Sequence, residues 1–412
     1  MLYLVMNADV LEFVKKSKNE YEDTALFYSD FKKRLEVGKL PARLNVVYGI
    51  RGAGKTTLMF QNYLEAPKEK RVYFHGLELA LKKTTVLEAI EAAVYLFGTD
   101  VNVFIDEVNQ VASWAKDVEI AFDKYPTGRF LLSGSSSINL LDSKEHLARR
   151  AHYFHLKPLS LREFIYLKYS VLLDQFPIEV DLLRSAVKYD IYLKEKLRGL
   201  NLVSITGEYI EANLPYLLEG NRDTLQDLVE KAIFIDIAKS TNLDSGTLSK
   251  LERLVLLLSA SSKVTYEVLS RDLGVSKSSV SQLLGYLEKA DIIKRVYPFK
   301  KGKTGVRKEW KYFFQVPAIR KLYAGKLVVP ESTTHGSMLE DIFASSFDPV
   351  FFSEVDFVYN GFLVEIGASK DFSQVKKSSD KNLKKLVLHL GTSISHSEDA
   401  VKMPLYMFLL QR

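Results

Sequence analysis

Cysteine is absent from the 412 residues, which removes disulfides, thiolate nucleophiles and cysteine-ligated metals together. That absence suits a reducing compartment. Long apolar runs are missing too: nothing approaches the ~18 residues of a membrane helix, and the longest runs, such as residues 254–258, are core-sized. The seven histidines form no His-Glu-x-x-His or comparable spacing, so zinc is not indicated. Gly-x-Ser-x-Gly does not occur, which leaves no serine-hydrolase elbow. Residues 1–6 are apolar but lack a basic leader and soon meet Glu12 and Lys15, so no signal peptide is expected. Charge of one sign is not abundant either: 57 basic against 51 acidic residues give a formal +6, too mild by itself to argue for nucleic acid. The expectation is a cytoplasmic protein that does not enter a membrane.

What is present is the composition of a folded chain, 47% hydrophobic and 26% charged, at a length that predicts two to four domains. Residues 49–56 read Gly-Ile-Arg-Gly-Ala-Gly-Lys-Thr, a complete G-x-x-x-x-G-K-[ST] directly after the apolar run 44–48. A strand must deliver such a loop, its glycines must let backbone N–H groups turn inward around phosphate oxygens, and a helix must begin at the lysine. Gly49, Gly52 and Gly54 supply the backbone freedom, and the loop amides from Gly49 through Ala53 to Thr57 line the cradle. Lys55 reaches the β- and γ-phosphates and Thr56 offers a hydroxyl to Mg²⁺. ATP and Mg²⁺ are the predicted cofactors.

Strand-like residues 71–75 and a helical stretch at 85–96 lead to 101–107, an apolar run that ends in Asp106-Glu107. Asp106 is placed to hold the Mg²⁺ shell and Glu107 to polarise the attacking water. A third strand, 129–132, ends in Ser133-Gly134-Ser135-Ser136, where Ser133 would sense the γ-phosphate; a plain Ser-Gly turn is the competing reading. The strand–helix alternation predicts a parallel sheet with its ligand at the strand C-terminal edge.

Residues 166–248 show helical periodicity without catalytic signals and read as a lid or connector. From 249 to 325 the pattern becomes a helix-turn-helix: helices at 251–258, 266–273 and 277–289, a Gly274-Val-Ser turn, and the polar front Lys277, Ser278, Ser279 and Gln282. Two strands, 292–299 and 311–315, flank a basic segment. From Lys294 through Lys311 there are eight basic residues against one acid, Glu309, with Lys300, Lys301, Lys303, Arg307 and Lys308 at the tip. A basic wing of this kind meets DNA backbone; winged helices also serve as docking modules.

The order GxxxxGKT, hhhhDE, SGSS, Arg149-Arg150 and Pro158-Leu-Ser160-Leu-Arg-Glu163-Phe164 resembles the archaeal and bacterial AAA-type ATP-binding proteins, relatives of the STAND and AAA+ P-loop NTPases, that carry a nuclease-like C-terminal domain of unknown function. The resemblance implies a γ-phosphate or trans-acting finger role for Arg150, with a surface salt bridge as its alternative. It also implies a PD-(D/E)xK-like domain at 326–412, in which Glu340, Asp356 and Glu365 match the acidic, Mg²⁺-holding positions. The lysine position is Gly367, a departure that argues for lost or weakened cleavage. Lys370 lies three residues on and is near enough to swing in, but on a strand it would face the other way unless the chain bulges there.

The predicted fold is therefore α/β and multidomain. A P-loop NTPase parallel sheet spans 1–165, a helical lid 166–248, a winged helix 249–325 and a restriction-endonuclease-like α/β domain 326–412. The predicted function is Mg²⁺-dependent ATP binding and hydrolysis coupled to DNA binding. A STAND-like switch with slow turnover and an ATPase-linked metal-dependent DNA nuclease are the rivals. DNA and a second copy of the chain are the expected partners.

Overall fold

A computed structural model describes residues 7–38, 40–134, 144–175, 182–218, 220, 224–241, 243–261, 264–299, 310–352, 354–376 and 383–411. The chain divides into two units, Met1–Lys157 and Pro158–Arg412.

The first unit opens on helix α1 (Ala8–Ser29), whose first turn is capped by the Asn7 side chain. Then β1 (Leu44–Tyr48), α2 (Lys55–Glu65), β2 (Arg71–His75), α3 (Gly76–Leu81), α4 (Val86–Phe97), β3 (Asn102–Asp106), α5 (Trp114–Lys124), β4 (Arg129–Gly134), α6 (Lys144–Leu147) and β5 (Ala151–His155) follow. Helix α4 starts where it does because Thr85 and Glu88 form a reciprocal capping box.

The five strands form one sheet in the order β2-β3-β4-β1-β5. Every pairing in it is parallel. Strands of such a sheet are covered on both faces and so read as continuous apolar runs, as Val46, Val47, Val103 and Ile105 show by being fully buried. The first unit is thus built on a five-stranded, fully parallel α/β sheet. Because β1 lies between β4 and β5 while β2 sits at the far edge, the chain leaves β1 over a crevice at the C-terminal strand edge. Register sets Val47 beside Ser133 and His75 beside Asp106, so the loop after β1 and the ends of β3 and β4 share that edge.

The second unit begins with α7 (Leu161–Tyr169), capped by Ser160 and Glu163, both fully buried. The Pro-Leu-Ser-x-x-Glu-Phe string is thus a capping box in this chain. Helices α8 (Leu182–Lys196), α9 (Leu202–Glu211), α10 (Pro215–Leu218), α11 (Leu225–Lys231) and α12 (Ala238–Thr241) follow, the last two joined by a π-helical stretch, Ala232–Ile237. Next come α13 (Ser245–Ala260), α14 (Tyr266–Leu273) and α15 (Lys277–Lys289). Gly274 at φ 63° closes α14 and the Ser276 hydroxyl caps α15. The strands β6 (Ile293–Val296) and β7 (Lys311–Phe314) pair antiparallel, with Arg295 opposite Tyr312.

After α16 (Pro317–Lys326) and α17 (Glu331–Ser346) the chain builds a six-stranded mixed sheet, with α18 (Phe372–Lys376) and α19 (Leu405–Leu409). Its strands are β8 (Val350–Phe352), β9 (Val355–Tyr359), β10 (Phe362–Ile366), β11 (Lys384–His389), β12 (Ser395–Ser397) and β13 (Ala400–Pro404), in the order β12-β13-β11-β10-β9-β8. The central pairs β10–β11 and β11–β13 are parallel. Asn360 and Gly361, at φ 46° and 81°, make the tight β9–β10 hairpin. Two links join this sheet to the preceding segment. Phe351 N donates to Tyr297 O at 2.9 Å while Phe351 O accepts from Phe299 N at 2.7 Å. In the core, the fully buried Arg320 of α16 pairs with the fully buried Asp341 of α17.

Candidate active site

The phosphate loop takes its shape from two glycines in particular. A Cβ at Gly49 would lie 2.3 Å from Leu156 O, so any side chain there would push β1 away from the segment following β5. Gly54, at φ 92°, is the left-handed residue from which α2 starts. The first-turn N–H groups of a helix have no acceptor within the helix itself, which gives such a helix start its preference for anions. Lys55 is 7% exposed, and its ammonium donates to Gly49 O at 2.8 Å and Ile50 O at 3.1 Å. Both acceptors are carbonyls of the loop itself.

Asp106 is the hub of the site. Only 2% exposed, it accepts at Oδ2 from Thr56 Oγ1 at 2.7 Å and from Tyr73 OH at 3.0 Å. At Oδ1 it accepts from the backbone N–H of Glu107 at 3.0 Å and from the Ser133 hydroxyl. Residues from four separate segments therefore converge on one carboxylate. Burial, then the Asp106 charge, pushes the Tyr73 phenol well above its ordinary value, which keeps it a donor at any working pH. Mg²⁺ typically takes one or two carboxylates plus substrate phosphates and waters. Asp106 with the Thr56 hydroxyl fits that donor set. Glu107 stands in the left-handed region at φ 53°, which for a glutamate is a strained backbone held in place by its surroundings. Gly76 is part of that restraint, because a Cβ there would fall 2.1 Å from Glu107 O.

Tyr73 and Gly76 were not legible as site residues. Both come from β2 and its exit, and only the pairing of β2 with β3 brings them to Asp106 and Glu107. The Arg150 guanidinium binds Asp123 at 2.7 Å and Glu119 at 3.0 Å, both on α5. Hydrogen bonding to Asp123 raises its pKa further. Ser135 and Ser136 lie outside the described residues.

A second acidic cluster lies in the last sheet. Glu340 comes from α17, Asp356 from β9 and Glu365 from β10. Asp356 Oδ2 accepts from Ile366 N at 2.8 Å. Burial first, then Asp356, raises the Glu340 carboxyl to about 7 and also lifts Glu365. Lys311 acts on Glu340 in the opposite sense. The expectation that Lys370 faces away is corrected here. Strand β10 ends at Ile366, Gly367 N donates to Leu388 O at 3.1 Å, and the following turn returns Lys370 to the same carboxylates, where its ammonium binds Glu365. Alternation along a strand stops predicting side-chain direction once the strand has ended. Among the described residues, no group of three or more His, Cys, Asp or Glu side chains is arranged to hold a metal ion.

A pH dependence follows from Glu340. Its folded value of about 7 lies above the ordinary 4.5, so the folded chain keeps a proton that the unfolded chain releases between those values. Stability is then expected to fall as pH rises through that window. Glu340→Gln should flatten the fall in a denaturant series taken from pH 4.5 to 7.5; an unchanged slope would contradict the burial argument.

On α15, Lys277, Ser278 and Gln282 are exposed and Ser279 half-buried, while Val280, Leu283, Leu284 and Leu287 pack inward. Ser279 N–H donates to the Ser276 cap and Gln282 donates to Tyr286 OH. Lys300, Lys301, Lys303, Arg307 and Lys308 lie outside the described residues. Two other members of the basic segment are tied down: Arg295 pairs with Glu288, and Lys294 donates to Phe347 O and Asp348.

With this geometry in hand, the relationships of the chain are informative. Residues 42–165 match the family model described as AAA domain. Residues 200–322 match a domain of unknown function (DUF8612). The uncharacterized protein MJ1637 of Methanocaldococcus jannaschii is 28% identical over 320 residues, 73% of this chain and 67% of that protein. A second uncharacterized protein of that organism, MJ1544, is 27% identical over 39% of this chain and 34% of its own length. Among solved structures, the Walker-type ATPase PABY2304 of Pyrococcus abyssi aligns with 75% of this chain and 94% of its own at 15% identity and a TM-score of 0.39. The Orc1 protein of Aeropyrum pernix in complex with DNA aligns with 76% and 92% at 11% identity and a TM-score of 0.30. Among the described residues no helix is long and apolar enough to cross a membrane.

Proposed function

We propose that the protein binds ATP with Mg²⁺, hydrolyses it, and couples the nucleotide state to DNA through a winged helix formed by α13–α15 and β6–β7. The observation that carries the hydrolytic part is the convergence of Thr56, Tyr73, Ser133 and the Glu107 amide on Asp106, beside a lysine already folded over the phosphate loop. Lys55 and the loop amides would bind the phosphates. Bound Mg²⁺ would neutralise developing charge, with Thr56 and Asp106 as its protein donors. Glu107 would orient the attacking water, and Ser133, tied to Asp106, would report the γ-phosphate. The restriction-endonuclease-like reading of residues 326–412 draws support from helix α17 followed by a β9–β10 hairpin bearing Asp356 and Glu365.

The DNA part rests on the exposed polar front of α15 and the basic segment behind it. Lys55→Ala is expected to lower ATP turnover at least 100-fold, in line with the electrostatic contribution of one phosphate-binding group, and turnover of the unaltered chain should rise with duplex DNA. Turnover indifferent to DNA would favour the STAND-like switch. A DNA affinity that does not fall between about 50 and 200 mM salt would count against phosphate contacts.

A further inference from the structure

Arg34 grips the phosphate loop by one of its carbonyls. The residue lies in the segment between α1 and β1, and that segment is tied to α2: Gln61 Nε2 donates to Phe31 O at 2.9 Å, and Lys33 pairs with Glu65. The half-buried guanidinium then spreads its fork over two other segments. Nη1 donates to Ala53 O at 2.9 Å and Nη2 to Lys157 O at 3.0 Å. The first acceptor belongs to the phosphate loop. The second belongs to the chain leaving β5, where Leu156 N donates to Tyr48 O at 2.7 Å. Leu156 O is also the atom whose close approach requires glycine at position 49. The loop is therefore braced against residues 156–157 near both its ends, by packing at Gly49 and by Arg34 at Ala53.

The Ala53 carbonyl matters because of the amide bonded to it. A peptide unit is planar and trans, so its C=O and N–H point in opposite directions. A cation holding Ala53 O thus sets the direction of the Gly54 N–H and turns it away from Arg34. Gly54 is the residue from which α2 starts, so its amide belongs with the loop donors that take a phosphate. Lys55 holds the Gly49 and Ile50 carbonyls in the same manner, but its ammonium has a second task at the phosphates. Arg34 has the chemistry for a fixed brace: a permanently charged, planar group with separate N–H donors for separate acceptors.

We propose that Arg34 is a positioning residue of the nucleotide site, fixing the peptide between Ala53 and Gly54 so that the Gly54 N–H faces the phosphates. Through its second bond it locks the loop to Lys157, the last residue of the first unit. The inference rests on the ATP reading, and adds that Arg34 acts on the phosphates instead of the base and on binding instead of bond cleavage.

The test uses the full chain with Mg²⁺ and a fluorescent ATP analogue, displaced either by ATP or by inorganic tripolyphosphate, which has phosphates but no base. Arg34→Ala is expected to weaken both competitors about tenfold, the scale of one hydrogen bond from a charged group. Arg34→Lys keeps the charge but offers one point where two are needed, so it should stay at least about threefold weaker than the unaltered chain. In steady state the KM for ATP should rise with kcat held within about twofold, as loss of uniform binding requires. Lys33→Ala, which loosens the same segment without touching the loop, should leave both affinities unchanged. A loss confined to ATP, full recovery with Arg34→Lys, a fall in kcat at constant KM, or an equal loss in Lys33→Ala would each overturn the proposal. If the unaltered chain binds neither the analogue nor tripolyphosphate, the nucleotide reading fails and takes this one with it. If it binds both and Arg34→Ala binds them equally well, only the role of Arg34 falls. Thermal melts identify any variant that does not fold, and Arg34→Lys serves where Arg34→Ala does not.

Discussion

Asp106→Asn is expected to reduce ATP turnover by two orders of magnitude or more. The substitution preserves size but replaces one acceptor oxygen by an NH₂ group and removes the negative charge. All four groups that meet Asp106 are donors: the Thr56, Tyr73 and Ser133 hydroxyls and the Glu107 amide. Whichever way an asparagine turns, its NH₂ meets hydrogens rather than lone pairs, and the hydroxyls must rotate away. A buried donor left without an acceptor costs about 1–3 kcal/mol, so a loss of stability of that order should accompany the kinetic effect. Electrostatic groups of this kind are worth about 10²–10³ in rate when a single one is removed. Nucleotide affinity without Mg²⁺ should change little, since Lys55 and the loop amides are untouched. Phosphate release at saturating ATP and Mg²⁺, beside binding of a fluorescent ATP analogue, provides the measurement. Turnover within threefold of the unaltered chain would refute the assignment of Asp106.

The largest stability effect is expected at Arg320. Its guanidinium donates to both oxygens of Asp341, at 2.6 and 2.8 Å, and to Leu258 O at 2.8 Å, with both side chains fully buried. Asp341 also accepts from Phe314 N at 2.9 Å. The pair thereby binds α13, β7, α16 and α17 at one point. Burial pushes the Asp341 carboxyl up, against the pull of Arg320. Arg320→Met leaves that carboxylate buried beside methylenes, and breaking such a pair from one side costs about 3–5 kcal/mol. Urea unfolding should show that loss, and Arg320→Met with Asp341→Leu should recover a large part of it, because an apolar pair of similar volume carries no uncompensated charge. A single-variant loss below about 1 kcal/mol would show that water or rearrangement already relieves the site.

Which of these features the chain reveals without coordinates depends on how local their causes are. The phosphate loop was legible because its requirements are met within eight consecutive residues, from Gly49 to Thr56. The Asp106-Glu107 pair followed from an apolar strand ending in acids. Tyr73 was not legible, since its phenol reaches Asp106 only through the pairing of two strands distant in sequence. The order β2-β3-β4-β1-β5 is likewise a property of pairing that periodicity does not encode. The direction of Lys370 stayed open for a different reason: strand alternation turns it away only if β10 continues, and β10 ends one residue before Gly367. Arg295 and Lys294 counted toward a basic segment by sequence alone, yet acids outside the counted span, Glu288 just before it and Asp348 far along the chain, claim them.

The backbone hydrogen bonds that Phe351 shares with Tyr297 and Phe299 bear on how copies of this chain can associate. Strand β8 ends the six-stranded sheet on one side, and an open strand border is a template for joining another chain. Here the residues just after β6 occupy that border, and an isolated bridge between Pro298 and Phe351 completes the seam. The opposite border is β12, only three residues long and made of Ser395, His396 and Ser397. A sheet with one side already spoken for and the other short and polar is a poor seed for edge-to-edge polymerisation. Both borders of the last sheet thus disfavour joining to another copy strand by strand, which leaves that sheet a closed object.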